Sequence, residues 1–509
     1  MPMSDKNLKL EHLEEPELCF GYNQTTAFAK DGLLWFGPLG DAQKPTSMRV
    51  GVIGSEKSIS LYKKWINKIN LPIAAEKEAE HHVSFPGFEA VFGAQWPENP
   101  ICSLIIPEHK ILQTIRIKDR HQAIYNTVTM FADEIRRYIN EEDLSVDLWF
   151  VVIPEEVYKY GRPQSSVPGS IAEDSPLRMN AKLARSLKSQ PSLFDEDNEI
   201  AELYKYELHF HNQLKARLLD TKAVIQVVRE TTLAPEEFVV NGRETRQLQD
   251  SASVAWNLCT TAYFKASGRP WRIANVREGV CYVGLVFKLD ETCHDVKNAC
   301  CGAQMFLDSG DGVVFRSAVG PWYNTESKEF HLTADKAKEI SQKVVEAYTR
   351  EHGFPPKELF IHGKTRINET EWNGFSEGVP ESTNIVAIRI RHENQFKLYG
   401  SGVNPLVRGM FLKLHDKKGY LWTKGFVPRL GTYQGREVPN PLSIEISYGE
   451  SDIKQVMQDI LGLTKVNFNR CDFADGEPVT LRFADQVGEI LTASPTAHDL
   501  PPLPFKHYI

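Results

Sequence analysis

The stretch Val146–Ile153 reads VDLWFVVI, an apolar run broken only by Asp147 and stopped by Pro154. A strand of this kind has no face to show to water. It is the pattern of a central parallel strand covered on both sides by helices, and it commits the chain to a layered α/β fold. The elements before it agree. Met48–Ile53 (MRVGVI) reads as a second buried strand that passes through a Gly54-Ser55 turn into an amphipathic helix, Ile59–Ile69, with Leu61, Trp65 and Ile69 on one face. Ile101–Ile106 is a further strand and Gln122–Tyr138 a further helix. GSEKS at Gly54–Ser58 lacks the spacing of a phosphate loop and is read as a tight turn.

Residues 17–40 are aromatic and glycine-rich, with turn signals at Asp31-Gly32 and Gly37-Pro38. Residues 161–200 hold Pro163, Pro168, Pro176 and Pro191 among many Ser, Asp and Lys residues, which predicts an exposed, flexible insertion. One helix is expected over Ile200–Leu219, a strand over Val224–Val228 and a helix over Ser253–Ala266. The C-terminal half opens with a strand at Val280–Leu289. Ala303–Leu307 and Val313–Arg316 then flank Ser309-Gly310-Asp311-Gly312 as a hairpin. A helix over Asp335–Glu351 and strands at Glu358–His362, Asn384–Arg391, Met410–His415 and Gly419–Thr423 follow. Helix Asp452–Leu463, strand Thr464–Asn469 and helix Arg482–Thr492 complete the pattern. Strands in succession, then strands alternating with helices, suit an RNase H-like layer. Periodicity alone fits other α/β folds as well.

The 509 residues allow two or three domains, and 41% hydrophobic with 25% charged residues is an ordinary globular balance. The polar, acidic start has no signal-peptide pattern and no apolar run reaches membrane length, so no membrane and a cytoplasmic location are expected. The eight cysteines form no CxxC pair and are read as reduced core thiols. A net charge of −8 sits awkwardly with nucleic-acid binding, but a global charge is not a local field. His211–Arg229 carries Lys215, Arg217, Lys222 and Arg229 against Asp220 alone.

His211 and Lys215 are four apart, stacked on one helix face. Gln226 lies on the next element and Lys265 on a later helix. Two ammonium groups, an imidazole and an amide dipole drawn to one point would hold a terminal phosphate, at about 1.5–3 kcal/mol per charge-assisted contact. The spacing by itself is also that of a solvated helix face. The surrounding string is more telling. HFHNQLKARLLDTKAVIQVVRE (His209–Glu230), preceded by DLWFVVIP (Asp147–Pro154) and followed by AYFKASGRPW (Ala262–Trp271), resembles the MID domain of Argonaute proteins. Val280–Leu289, Leu359–Trp372 and Leu463–Leu491 resemble successive PIWI blocks. EEPELCFG (Glu14–Gly21) and DGLLWFGPL (Asp31–Leu39) resemble the start of short prokaryotic Argonautes, and nothing resembles a PAZ domain.

The resemblance implies a Rossmann-like MID domain with an N-terminal extension over residues 1–270 and an RNase H-like PIWI domain over 271–509. It assigns His211, Lys215, Gln226 and Lys265 to a guide 5′-phosphate pocket, and Gln226 with the carboxylate of Ile509 to a Mg²⁺ held against that phosphate. It also lets the nuclease centre be checked. Two-metal cleavage needs clustered carboxylates. Val286 stands where the first acid is expected, a buried Lys364 at or next to the third, and Asp485 is the one acid retained. A cleavage-inactive PIWI domain is therefore expected. Lys364, Arg366, Arg389, Arg391, Lys424, Arg429 and Arg482 are candidates to line a duplex channel by phosphate contact.

An inactive guided binder needs an output. The resemblance implies a 5′-phosphorylated guide RNA, a complementary single-stranded DNA target and a partner carrying an APAZ segment joined to an effector, with a TIR NADase favoured and a higher oligomer on activation. A sirtuin-like NADase or a nuclease effector, a guided nuclease in this chain itself, and a guide-independent interaction protein are the alternatives.

Overall fold

The computed structural model describes residues 9–40, 44–76, 79–169, 179–275, 277–289, 299–306, 312–320, 322–324, 326, 328–433, 435–495 and 503–509. The strand Leu10–His12 (β1) comes first, and its partner lies some four hundred residues on. Helix Ala29–Phe36 (α1) follows. The N-terminal layer is then built from Val50–Gly54 (β2), Glu56–Ile69 (α2), Cys102–Ile105 (β3), Arg120–Glu141 (α3) and Leu148–Ile153 (β4). Ala181–Ser189 (α4), Asp195–Leu203 (α5), Phe210–Leu218 (α6), Ile225–Arg229 (β5) and Ser251–Lys265 (α7) complete it.

Its four strands are parallel in the order β3-β2-β4-β5. All six residues of β4 are buried, as an uninterrupted apolar strand requires. Phe150 and Val152 pack with Tyr62, Trp65 and Ile66 of α2. Trp149, Val151 and Ile153 face the other way, onto Ile124, Val128, Phe131 and Ile135 of α3 and Phe210 and Leu214 of α6.

The C-terminal half runs through Val280–Leu289 (β6), Ala299–Phe306 (β7), Gly312–Gly320 (β8), Ala334–His352 (α8), Glu358–Gly363 (β9), Glu369–Glu377 (α9) and Asn384–His392 (β10). Met410–His415 (β11), Lys418–Leu421 (β12), Leu442–Tyr448 (β13), Ile453–Leu463 (α10) and Val479–Leu491 (α11) follow. One sheet has the order β1-β11-β12-β13-β10-β9-β6-β7-β8. Within it β6, β7 and β8 are antiparallel neighbours, while β6, β9 and β10 run parallel, which is the RNase H-like layer. The residues at the expected hairpin turn, 309–311, lie outside the described residues. Cys281, Val283 and Leu285 of β6 face α8 and α9, whereas Tyr282 and Val286 share a core with Phe483, Ala484 and Val487 of α11. Between them Gly284 lets α11 press directly on the strand, for a Cβ there would meet the Thr480 carbonyl oxygen at 1.9 Å.

Four expectations need correction. Asp31-Gly32 is no turn but lies inside α1, because a bare Gly32 accepts the Phe20 ring against the helix and Asp31 is bonded by Arg429. The described part of the 161–200 insertion holds α4 and α5. The single helix expected over Ile200–Leu219 is broken at residues 204–209. There the Tyr204 hydroxyl donates to Asp119 (2.7 Å) and the Glu207 N–H to the Ala493 carbonyl (3.1 Å). Thr464–Asn469 is not a strand, since its polar groups are satisfied by side chains. Lys465 Nζ donates to Glu15 and to the Pro16 carbonyl, and Trp271 Nε1 donates to the Lys465 carbonyl.

Both extremities of the described chain cross between layers. β1 pairs with β11, Leu10 opposite Leu412. Behind it Glu15 takes hydrogen bonds from Arg408 Nε (3.0 Å) and Lys465 Nζ (2.8 Å). Burial alone would raise the Glu15 carboxyl, but these two cations hold it below its usual value. In the other direction, residues 503–509 return to the N-terminal layer, where Ile509 accepts from Lys215, while the Phe505 ring lies 4.0 Å from that of Phe483 on α11.

Candidate nucleic-acid interface

Helix α6 begins after His209, whose ring caps the Asn212 N–H. It carries His211 and Lys215 toward the end of β5 and the last residues of the chain. Lys215 is 2% exposed, and its Nζ donates to the oxygens of Ile509 and, at 3.5 Å, Tyr508. Lys265, the last residue of α7, is equally buried and donates to the Ile225 carbonyl (2.9 Å) and to Gln226 Oε1 (2.7 Å). His211 pairs its Nδ1 with Asn212 Oδ1 at 3.0 Å. The four residues singled out in sequence are thus brought together. Two the sequence reading passed over join them: His507, whose buried Nδ1 has no hydrogen-bond partner among the described residues, and Lys506, which donates to Ser267 Oγ. No spacing signal could have placed them, because they reach α6 only through the fold.

The electrostatics are unusual. Burial pushes the Lys215 ammonium down to about 7. Burial and then the neighbouring Lys215 push Lys265 well below its usual value, and the same two causes depress His211. His507 is lowered to about 4 by burial and by Lys506. Among the described residues no carboxylate side chain stands within ion-pair distance of Lys215 or Lys265. Only the Ile509 oxygen, bonded by Lys215, stands against these buried basic groups, and an anion entering among them offsets the cost of burying them. Gln226 Oε1 and the Ile509 oxygen have the chemistry of hard-cation ligands, and each already accepts a hydrogen bond from an ammonium.

A cavity of about 360 Å³ opens beside His209 and His211. On its wall the Tyr158 ring lies between the guanidinium groups of Arg162 (3.5 Å) and Arg229 (3.6 Å), with Arg246 nearby.

The second region is the C-terminal end of the parallel strands. Val286 is 7% exposed and packed under α11. Lys364, expected to be buried, is half-exposed (40%), because it lies just past the end of β9. Its Nζ reaches Asp485 Oδ2 at 2.5 Å and Glu477 Oε1 at 3.6 Å. Glu477 also accepts from His392 Nε2 at 2.8 Å. The bond from His392, then Lys364, outweighs burial and lowers Glu477 to about 2. The sequence reading missed Glu477, which lies within the Leu463–Leu491 block but at no position expected to carry an acid, and His392, which lies outside every block. Among the described residues no group of three or more His, Cys, Asp or Glu is placed to hold a metal ion.

The candidate channel cations divide. Arg429 is bound bidentately to Asp31 (2.7 Å), Arg366 and Arg389 share Glu445, and Arg482 faces Asp475 at 3.2 Å. Arg391 and Lys424 are exposed, with no ion pair among the described residues. In the described part of the chain no helix is long and apolar enough to cross a membrane.

No defined protein family and no curated protein matches the chain in sequence. Solved structures do match. Clostridium butyricum Argonaute bound to a guide DNA with a 5′ deoxycytidine and a 19-mer target DNA superposes with a TM-score of 0.62 at 15% identity, over 96% of this chain and 54% of that one. Aa-Ago with externally bound siRNA gives 0.54 at 15% identity, over 99% and 56%. A. aeolicus Argonaute gives 0.52 at 14% identity, over 98% and 55%. The chain therefore has the Argonaute fold, with a Rossmann-like MID layer and an RNase H-like PIWI layer, and spans about half the length of these neighbours.

Proposed function

We propose that this chain is a short prokaryotic Argonaute that holds a guide strand by its 5′ phosphate and recognises a complementary strand without cutting it. The observation that carries this reading is the cluster of buried Lys215, Lys265 and His507 with the half-buried His211, which among the described residues has no side-chain carboxylate against it. A terminal phosphate supplies the missing negative charge and accepts from both ammonium groups. Gln226 Oε1 and the Ile509 oxygen would hold a Mg²⁺ beside it, which would neutralise part of the phosphate charge when bound. The neighbours' fold, and the guide and target named with one of them, support nucleic-acid strands as the ligands.

The absence of cleavage is supported by Val286 under α11 and by Asp485 and Glu477 being turned onto the Lys364 ammonium. A guide RNA, a single-stranded DNA target and an APAZ-bearing effector, a TIR NADase in the favoured form, complete the proposed system. Loading of the target would bias the partner's state, which requires a free-energy difference between guide-only and duplex-loaded forms.

The test compares 5′-phosphorylated and 5′-hydroxyl strands on wild-type and Lys265→Ala chains. Losing one charge-assisted contact should weaken the phosphorylated strand by about tenfold to a hundredfold and leave the hydroxyl strand nearly unchanged. Equal weakening of both would assign Lys265 to the backbone and remove the pocket. For the output, coexpression with the genomic neighbour should give NAD⁺ loss only when guide RNA and complementary DNA are both present. Target-dependent DNA degradation with NAD⁺ untouched would replace the NADase by a nuclease.

A further inference from the structure

We infer that Leu193 and Phe194 form a preorganised docking knob for a partner protein that presents an apolar groove rimmed by basic side chains. The two residues are adjacent and 99% and 71% exposed. Single exposed hydrophobic residues are common and need no explanation. Here the backbone behind them is tied down. The Ser192 N–H donates to Asn198 Oδ1 (2.8 Å), and Asn198 Nδ2 donates back to the Ser192 carbonyl (2.9 Å). Ser192 Oγ donates to the buried Asp197 carboxylate (2.8 Å) and accepts from the Phe194 N–H (3.2 Å). Ser192, Asp197 and Asn198 hold the turn through these four hydrogen bonds, so the apolar pair stands on a held frame. Little conformational entropy remains to be lost when a groove closes over it.

Charge selects the kind of partner. Asp195, Glu196 and Glu199 are exposed on the first turns of α5, directly beside the knob. A nucleic-acid backbone or an anionic membrane surface carries the same sign as these three acids. A protein groove with cationic edges is matched by both the apolar pair and the acids. The knob is anchored as well as shaped. After α5 the Tyr206 ring lies 4.9 Å from that of Tyr125 on α3, and the Glu207 N–H reaches Ala493 beyond α11. It lies outside the cation cluster, and its docking does not depend on what that cluster binds.

A photo-crosslinking phenylalanine analogue placed at position 194, in the cells the chain comes from, should yield one covalent adduct with a different protein. That adduct should be lost with Leu193→Ser. The protein identified is then purified and titrated against the full chain. Leu193→Ser/Phe194→Ser should weaken binding by about 100-fold or more, as expected for two central apolar anchors. Asp195→Lys/Glu196→Lys/Glu199→Lys should weaken it further, and added salt should weaken the wild type. All these positions are exposed, so circular dichroism should show the variants folded. No adduct, an adduct only with a second copy of the chain, or an affinity unchanged by the double substitution would each overturn the inference.

Discussion

Replacing Lys215 by Met removes a buried charge while keeping most of the apolar stem, and should act in opposite directions on the empty and loaded chain. In the empty chain Lys215 is 2% exposed, and burial takes its pKa from 10.5 to about 7. The folded value lies below the unfolded one. The folded state therefore binds fewer protons across this window, and wild-type stability should rise as pH goes from about 7 to 10.5. At about 1.4 kcal/mol per unit, the charged form costs about 4 kcal/mol at neutral pH. Removing the ammonium leaves the buried Ile509 oxygen without its donor, which offsets about 1.5–3 kcal/mol of this. Lys215→Met should then stabilise the ligand-free chain by about 1–2.5 kcal/mol at neutral pH, and its stability should depend less on pH above that. With a 5′-phosphorylated strand the order reverses, and binding should weaken by about tenfold to a hundredfold. Urea unfolding at about pH 7 and pH 9, with fluorescence anisotropy on the same preparations, measures both. A variant less stable than wild type when empty, with an undiminished pH slope, would refute the claim that the pocket is strained by a buried cation.

Three further outcomes are expected. Gly284→Ala drives a methyl into the Thr480 carbonyl across the β6–α11 contact and should cost about 2–3 kcal/mol or more, read as a lower urea midpoint; an unchanged midpoint would mean that α11 is not seated on the strand. His362 is 1% exposed, bonded to Thr480 Oγ1 and lowered by burial to about 3, so the folded state binds fewer protons between pH 3 and 6.5 and stability should fall as pH drops through that window; His362→Leu should flatten this acid limb, whatever it does to the midpoint at neutral pH. The purified chain with Mg²⁺ or Mn²⁺ and any guide should leave a complementary strand intact, and a guide-dependent cut lost on Asp485→Ala would show that Lys364 does not disable the centre.

The strand β6 was legible to the residue, because ten consecutive positions carry a pattern only a covered strand satisfies. β4 and α7 were legible for the same reason: long segments carry their own periodicity. What failed was short and decided by distant partners. Asp31-Gly32 has turn chemistry, yet Phe20 and Arg429 hold it helical. Tyr204–His209 has helical periodicity, yet Asp119 and Ala493 pull it open. At the pocket, the helical spacing brought out His211 and Lys215, while His507 arrives from the far end of the chain and leaves no local mark. At the nuclease position the sequence showed a lysine among acids but not its exposure, because burial at a strand end is set by its neighbours, here the end of β10 with His392 and the segment before α11 with Glu477.

The crossing of both chain extremities has a consequence for biogenesis. β1 is made first but has no partner until Met410–His415 is synthesised, and Lys215 must wait almost three hundred residues for Ile509. A nascent chain normally completes its first lobe while the second is still being translated. Here each lobe waits for a segment that is made much later. The leading strand remains an unpaired edge until Met410–His415 emerges, and the N-terminal layer stays open at the pocket until Ile509 does. Such long-range closure is slow and leaves apolar surface exposed in the meantime. This chain should accordingly depend on chaperones for its yield, more strongly when translation is fast, and the two halves expressed apart should each lack an edge that only the other can supply.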